Sequence, residues 1–358
     1  MNERLVKTFC DFVRIDSESG EEASFIDYLR GLFAQTLGAT CRLDDYGNLV
    51  ARVPARDSRK SEPILLGAHA DTVKPGKGIE PVIVEGVIRS KGETILGADD
   101  KAGIAEIFEA VRTAERRPPV EILITRGEEV GLLGVRNLDP GLVTARMGFI
   151  VDGEAVDTVI VGGCSYISLD IEIVGRAAHA GMEPEKGISA IRVAAEAITA
   201  FPEGWLDAET TANVGTIQGG LIRNGVPERV TIKAECRSLD HGKCLRQAER
   251  MQKAFEDTAR AAGASAEVKA DLQFKASCVP EDSPLVKVAV AAISAAGVEP
   301  KTRVINGGND ALILSEKGVQ AIVLGTGVQE MHSKEERIAV ADLEKATEII
   351  GHLLSALA

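Results

Sequence analysis

The feature that most constrains the fold is an interruption. Two stretches of alternating strand and helix flank a middle segment with a different order. Before it, apolar runs at 64–66, 120–124 and 149–151 read as strands. Ile104, Ile107, Phe108 and Val111 recur at helical spacing, and helices are also expected at 3–14 and 21–37, with Ser17-Glu18-Ser19-Gly20 breaking them. Within the segment, the pattern reads strand 167–175, helix 187–201, strands 212–218 and 228–238, helix 242–262 and strand 266–275. That order is the split β-α-β-β-α-β unit of ferredoxin-like domains. Afterwards the first pattern resumes: helix 283–296, strand 300–305, helix 309–317, strand 322–324 and helix 340–357. The expected fold class is α/β. A catalytic domain with a mixed sheet flanked by helices (1–166 and 276–358) carries an inserted ferredoxin-like domain at 167–275.

Composition narrows the partners. A net charge of −13 over 358 residues argues against a nucleic-acid backbone or an anionic membrane surface. The six cysteines form no Cys-x-x-Cys pair and read as free thiols of a reducing compartment. No apolar run approaches the ~18 residues of a membrane span, and the N-terminus reads as an amphipathic helix rather than a signal peptide. A cytoplasmic location follows as the expectation.

Chemistry-bearing residues fall where strands end or helices begin: His69 with Asp71, Asp99, Glu128 with Glu129, Asp152, and His332. In open α/β sheets, ligands gather outside the carboxyl ends of strands. Two His with Asp and Glu, and no Cys, suit two divalent ions: zinc first, with cobalt or manganese as alternatives. Strand alternation puts His69 and Asp71 on one side, where the carboxylate can accept the ring N–H. Singly, each has a plainer reading. Asp99-Asp100-Lys101 could cap a helix, Glu128-Glu129 could be a solvated loop, Asp152-Gly153 a turn, and Arg126 a strand-end cap. Their joint occurrence in this order favours a site.

The motifs Gly67-Ala68-His69-Ala70-Asp71-Thr72, Gly97-Ala98-Asp99-Asp100-Lys101-Ala102-Gly103, Gly127-Glu128-Glu129-Val130-Gly131, Val151-Asp152-Gly153 and Met331-His332-Ser333-Lys334-Glu335 resemble the di-zinc exopeptidase superfamily of peptidase T, carboxypeptidase G and aminoacylase enzymes. Gly175-Arg176-Ala177-Ala178-His179-Ala180-Gly181 extends the resemblance into the insertion, and Leu96–Glu106 is most similar to peptidase T. The resemblance implies that His69 and Asp152 hold one metal, Glu129 and His332 the other, and Asp99 bridges both. It also implies a cis bond between Asp99 and Asp100. By the same resemblance Asp71 orients His69, Glu128 is the general acid/base, and His179 stabilises the developing oxyanion. Arg237 binds a substrate carboxylate, with Asn224 and Asn213 as weaker candidates. The implied activity is hydrolysis of short peptides, as an aminopeptidase on tripeptides or similar substrates. The alternatives are an N-acyl-amino-acid deacylase or carboxypeptidase of the same superfamily and, from another class, an inactive peptide-binding scaffold. The resemblance further implies a possible homodimer through the inserted domain.

Overall fold

The computed structural model describes residues 2–358. They pack as two units: one of 2–162, 278–304 and 309–358, the other of 163–277 and 305–308.

The larger unit is built on a nine-stranded mixed sheet. Its centre holds four mutually parallel strands, in the order Val120–Thr125, Ile64–His69, Met147–Gly153 and Gln320–Gly325. The Ile64–His69 and Val120–Thr125 strands are buried at every position, which is why Ile64-Leu65-Leu66 and Ile122-Leu123-Ile124 read as continuous apolar runs rather than alternating ones. Leu49–Val53 extends the sheet antiparallel on one side, and Thr158–Gly163 does so on the other. Because the central strands are parallel, their carboxyl ends share one edge. His69 ends one strand, Asp152 lies at the end of a second, and Glu128 and Glu129 follow a third.

Helices Glu3–Val13, Ala23–Leu37, Ala98–Thr113 and Val340–Leu357 supply the apolar cover. Phe9, Phe12, Phe25 and Phe33 are fully buried there; each such side chain contributes roughly 1.5–3 kcal/mol on burial. The helix Ala98–Thr113 lies unusually close to the sheet. A Cβ on Gly103 would stand 2.0 Å from the Val151 carbonyl oxygen and 2.3 Å from Asp100 Oδ1, so only glycine fits this contact. A small four-stranded sheet (Pro81–Val84, Val87–Ser90, Val328–Gln329, Arg337–Ala339) was not expected from the sequence. Its strands are two to four residues long, too short to show a period.

The smaller unit has strands Ser165–Val174, Thr210–Gly219, Arg229–Ser238 and Ser265–Phe274, with helices Ala190–Ile198 and His241–Ala261. The antiparallel order places Ser265–Phe274 beside Ser165–Val174, then Arg229–Ser238, then Thr210–Gly219, the ferredoxin-like arrangement. Alternation is clean in Arg229–Ser238, whose burial switches at every residue up to Ala234. The short strand Gly204–Trp205 pairs onto the edge and carries the chain's one tryptophan, 65% exposed.

Candidate metal centre

Strand ends bring the imidazoles and carboxylates of the larger unit together. His69 Nε2 lies 3.2 Å from Asp99 Oδ1 and 3.5 Å from Asp152 Oδ1. His332 Nε2 lies 3.1 Å from Asp99 Oδ2 and 2.9 Å from Glu129 Oε2. The two oxygens of Asp99 therefore face different imidazoles, the position a bridging carboxylate needs. The Asp99–Asp100 peptide bond is cis. Asp99 and Asp100 have non-helical φ/ψ at the head of their helix, so the pair is more than a helix cap.

The donor set fits divalent metal. Ligand atoms of His69, Asp99 and Glu129 lie within 4.8 Å of one another, as do those of His69, Asp100 and Asp152. Glu129 Oε1 and Asp100 Oδ1 are buried without a hydrogen-bond partner. Such orphaned carboxylate oxygens are costly unless a cation or proton meets them. Asp100, not anticipated as a donor, also accepts the His69 backbone N–H at 3.1 Å.

Charge in the cluster is tightly matched. Burial would push the Asp99 carboxyl up, but His332 and His69 hold it well below the usual range. Burial also opposes the charged form of His69, yet Asp152, Asp71 and Asp99 raise its pKa well above the ordinary value. His332, hydrogen-bonded to Asp99 and Glu129, is raised to about 10. Burial lifts Asp152 to about 7, with Asp99 and Asp310 adding and His69 opposing. Glu128 is pushed well above the carboxylate range by burial, with Asp152, Asp310 and Glu129 adding.

The geometry of Asp71 departs from expectation. His69 Nδ1 meets the main-chain oxygen of Asp71 at 2.9 Å, and its carboxylate only at 3.5 Å. The carboxylate instead accepts the backbone N–H of Glu128 on Oδ1 (2.9 Å), and that of Glu129 (3.3 Å) and the Ser19 hydroxyl (2.7 Å) on Oδ2.

The remaining candidates lie in the smaller unit. His179 Nδ1 accepts backbone N–H from Gly181 at 3.2 Å and Met182 at 3.1 Å. An acceptor at Nδ1 leaves the proton on Nε2, so the ring is set as a donor. The Arg237 guanidinium is engaged: Nε and Nη2 donate to Glu235 at 3.0 and 3.1 Å, and it lies 4.5 Å above the Tyr166 ring. Asn213 and Asn224 are exposed.

Known proteins share this frame. A family model described as Peptidase family M28 matches residues 48–146, and one described as Peptidase dimerisation domain matches 161–263. The chain is 36% identical to the Bacillus subtilis protein YqjE, over 97% of this chain and 96% of the relative. It is 38% identical to the aminopeptidase PepT of Bacillus cereus, whose crystal structure aligns with a TM-score of 0.92 over 99% of this chain and 98% of the other. The chain belongs to the peptidase T family. A tripeptidase structure from Staphylococcus aureus is 32% identical with a TM-score of 0.95, covering 99% of this chain and 98% of that one. The peptidase T of Listeria welshimeri is 26% identical over 98% of this chain and 97% of its own length.

Besides Asp100, three acidic residues around this peptidase T-family site were missed by sequence reasoning. Glu336, 1% exposed, accepts the backbone N–H of Gly97 at 2.8 Å and of Asp99 at 2.9 Å. Asp310, 2% exposed, accepts the Thr125 hydroxyl at 2.6 Å, and burial lifts its carboxyl to about 6. Glu22, 1% exposed, accepts Arg126 Nε at 2.9 Å and Nη2 at 2.6 Å. Arg126 is thus more than a strand-end cap. Glu336 lies inside a charged run that reads as surface; its one signal is the spacing of four from His332.

Proposed function

We propose that the chain is an aminopeptidase that releases the N-terminal residue of free tripeptides, with two divalent ions, zinc first, held by His69, Asp99, Glu129, Asp152 and His332. The observation that carries this reading is the Asp99 carboxylate set between His69 and His332, with Asp152 and Glu129 at the flanks. Its likeness to an aminopeptidase and a tripeptidase along almost the whole chain supports the substrate class.

When bound, the two ions would polarise the scissile carbonyl and make a water acidic enough to attack near neutral pH. The chain's own residues do the rest. Glu128, as a carboxylate, accepts the proton of the attacking water as its oxygen bonds to the carbonyl carbon, and its burial favours holding that proton. It then delivers that proton to the leaving nitrogen as the C–N bond breaks. Asp71 holds the main chain of Glu128 in place. His179, on the inserted domain at 167–275, presents its Nε2–H to the developing oxyanion. Arg237 takes the substrate's terminal carboxylate, a match for a planar fork once it shares or exchanges Glu235; Asn213 and Asn224 are secondary contacts. The domain of 1–166 and 276–358 carries the metals.

No described helix is long and apolar enough to cross a membrane, and we place the enzyme in the cytoplasm. A homodimer through the inserted domain is supported by the dimerisation-domain match and by exposed Leu221 and Ile222.

The test strips the protein with a chelator, restores zinc or cobalt, and follows tripeptides, end-blocked tripeptides and N-acyl amino acids by mass spectrometry. Metal-dependent loss of the first residue, abolished by N-terminal blocking, is the expected result. Turnover of N-acyl amino acids alone moves the chain to the deacylase reading. In Glu128→Gln, kcat falls about 10³-fold with metal content unchanged.

A further inference from the structure

The segment between the first two helices is expected only to break them, yet Ser17 is fully buried and Glu18 and Glu22 are 7% and 1% exposed. It runs beside the loop after His69 as a short parallel ladder. Thr72 donates its N–H to the Ser17 carbonyl at 3.0 Å, and Ser19 donates to the Thr72 carbonyl at 3.1 Å. The Ser17 hydroxyl donates to the Ala70 carbonyl at 2.7 Å. Two side chains then reach further. Ser19 donates to Asp71 Oδ2 at 2.7 Å, and that carboxylate holds the N–H groups of Glu128 and Glu129. Glu22 receives two hydrogen bonds from Arg126, the residue just before Gly127-Glu128-Glu129, and its other oxygen accepts the Gly20 N–H at 2.9 Å. Arg126 Nη1 is fixed in turn on the Tyr46 carbonyl at 3.0 Å.

We propose that residues 17–22 form a positioning strap: Ser19 through Asp71, and Glu22 through Arg126, fix the main chain that carries Glu128 and Glu129. The physical need is plain. The loop after Val120–Thr125 passes through Gly127 at φ 61 and Leu132 at φ 58, a path with little regular structure to hold it. The N–H of Glu129 meets Asp71 at the longer distance of 3.3 Å, and the Ser19 hydroxyl is the short partner on that same oxygen. Without the hydroxyl, Asp71 Oδ2 is free to turn away from the Glu129 N–H. Ser19 and Glu22 are positioning residues, acting through Asp71 and Arg126. The inference rests on the reading of Glu128 as the acid/base.

The experiment uses full-length, zinc-loaded Ser19→Ala, Ser19→Thr, Glu22→Gln and Glu128→Gln. Ser19→Ala should lower kcat by about 10- to 100-fold, as partners of metal-site ligands do. KM for the tripeptide and the two-metal stoichiometry should be unchanged, and Ser19→Thr, which restores a hydroxyl, should recover most of the rate. Glu22→Gln should lower kcat in the same manner. Amide hydrogen exchange over residues 126–132 should speed up in Ser19→Ala and return to the parent rate in Ser19→Thr. A parent-like kcat and parent-like exchange in Ser19→Ala overturn the strap. So does a loss that Ser19→Thr shares in full, which marks a packing role. Active Glu128→Gln instead overturns the assignment of the acid/base, and the exchange comparison then decides the strap alone.

Discussion

Glu106 points into the fold with both carboxylate oxygens buried and without a hydrogen-bond partner among the described residues. Burial, and then the nearby Asp342, push its pKa well above the ordinary value of 4.5. The folded chain therefore keeps this proton at pH values where the unfolded chain has lost it. Stability falls as pH rises from the unfolded pKa towards the folded one. Glu106→Gln removes that dependence, so the variant should gain stability relative to the parent at pH 8 compared with pH 5. Thermal melts at the two pH values check this, and an equal difference at both would show that the acid is not buried uncharged. Gly103 is a second test at this scale. Gly103→Ala forces its helix away from the strand bearing Asp152, and should cost about 1–3 kcal/mol in denaturant titrations together with weaker zinc binding. The candidate cluster was legible in the sequence because His69, Asp99, Glu129, Asp152 and His332 recur together at strand and helix ends, where each alone has a plainer reading. Glu336 and Ser19 were not, because the backbone N–H groups that Glu336 accepts and the Asp71 carboxylate that Ser19 meets lie far away in sequence, and no local pattern records such a partner.

The element that demands most support is the loop carrying Glu128 and Glu129. Asn48, fully buried, accepts the Arg126 N–H at 3.2 Å and donates to the Gly134 carbonyl at 2.9 Å and to Asp44 Oδ2 at 2.7 Å. Asn48→Ala strands these groups in the interior. It should cost about 2–4 kcal/mol, read as a lower urea midpoint, and reduce turnover through the loop. At this scale five helices are marked at their starts. Asn2, Ser189, Asp240, Ser283 and Asn309 each accept a backbone N–H from the first turn of the helix they precede, the residue types that announce a helix start. The strand Thr158–Gly163 was passed over because Gly162 and Gly163 close it and read as a turn. Glu330 and His332 adopt left-handed φ of 54° and 61°, a conformation uncommon outside glycine although His is enriched in it, and no local pattern marks it at either position.

Across the whole molecule, the metal centre exchanges one kind of positive charge for another. His332 is raised to about 10 by Asp99 and Glu129, and His69 is raised by Asp152, Asp71 and Asp99 against burial, so protons compete with metal at both imidazoles. Metal must displace these protons, and zinc binding at pH 7 should release them. Calorimetry in two buffers of different ionisation enthalpy measures the release, which should shrink as pH approaches about 10, the value for His332. Equal heats in both buffers would mean that the imidazoles are already neutral. The order of the chain made the insertion visible, since a β-α-β-β-α-β run satisfies itself. The return of residues 305–308 to the smaller unit was not visible, because four residues carry no periodicity.

The solitary Trp205 gives this division an optical consequence. Its indole belongs to the smaller unit and is largely open to water, while the five proposed metal ligands belong to the larger one. Chelation should lower the melting transition seen by far-ultraviolet circular dichroism, through loss of ligand linkage, and leave acrylamide quenching of the folded protein's tryptophan unchanged. The protein thus carries a built-in label set apart from its proposed ligands, and a change in that quenching on chelation would mean that loss of the ions reaches the smaller unit before the chain melts.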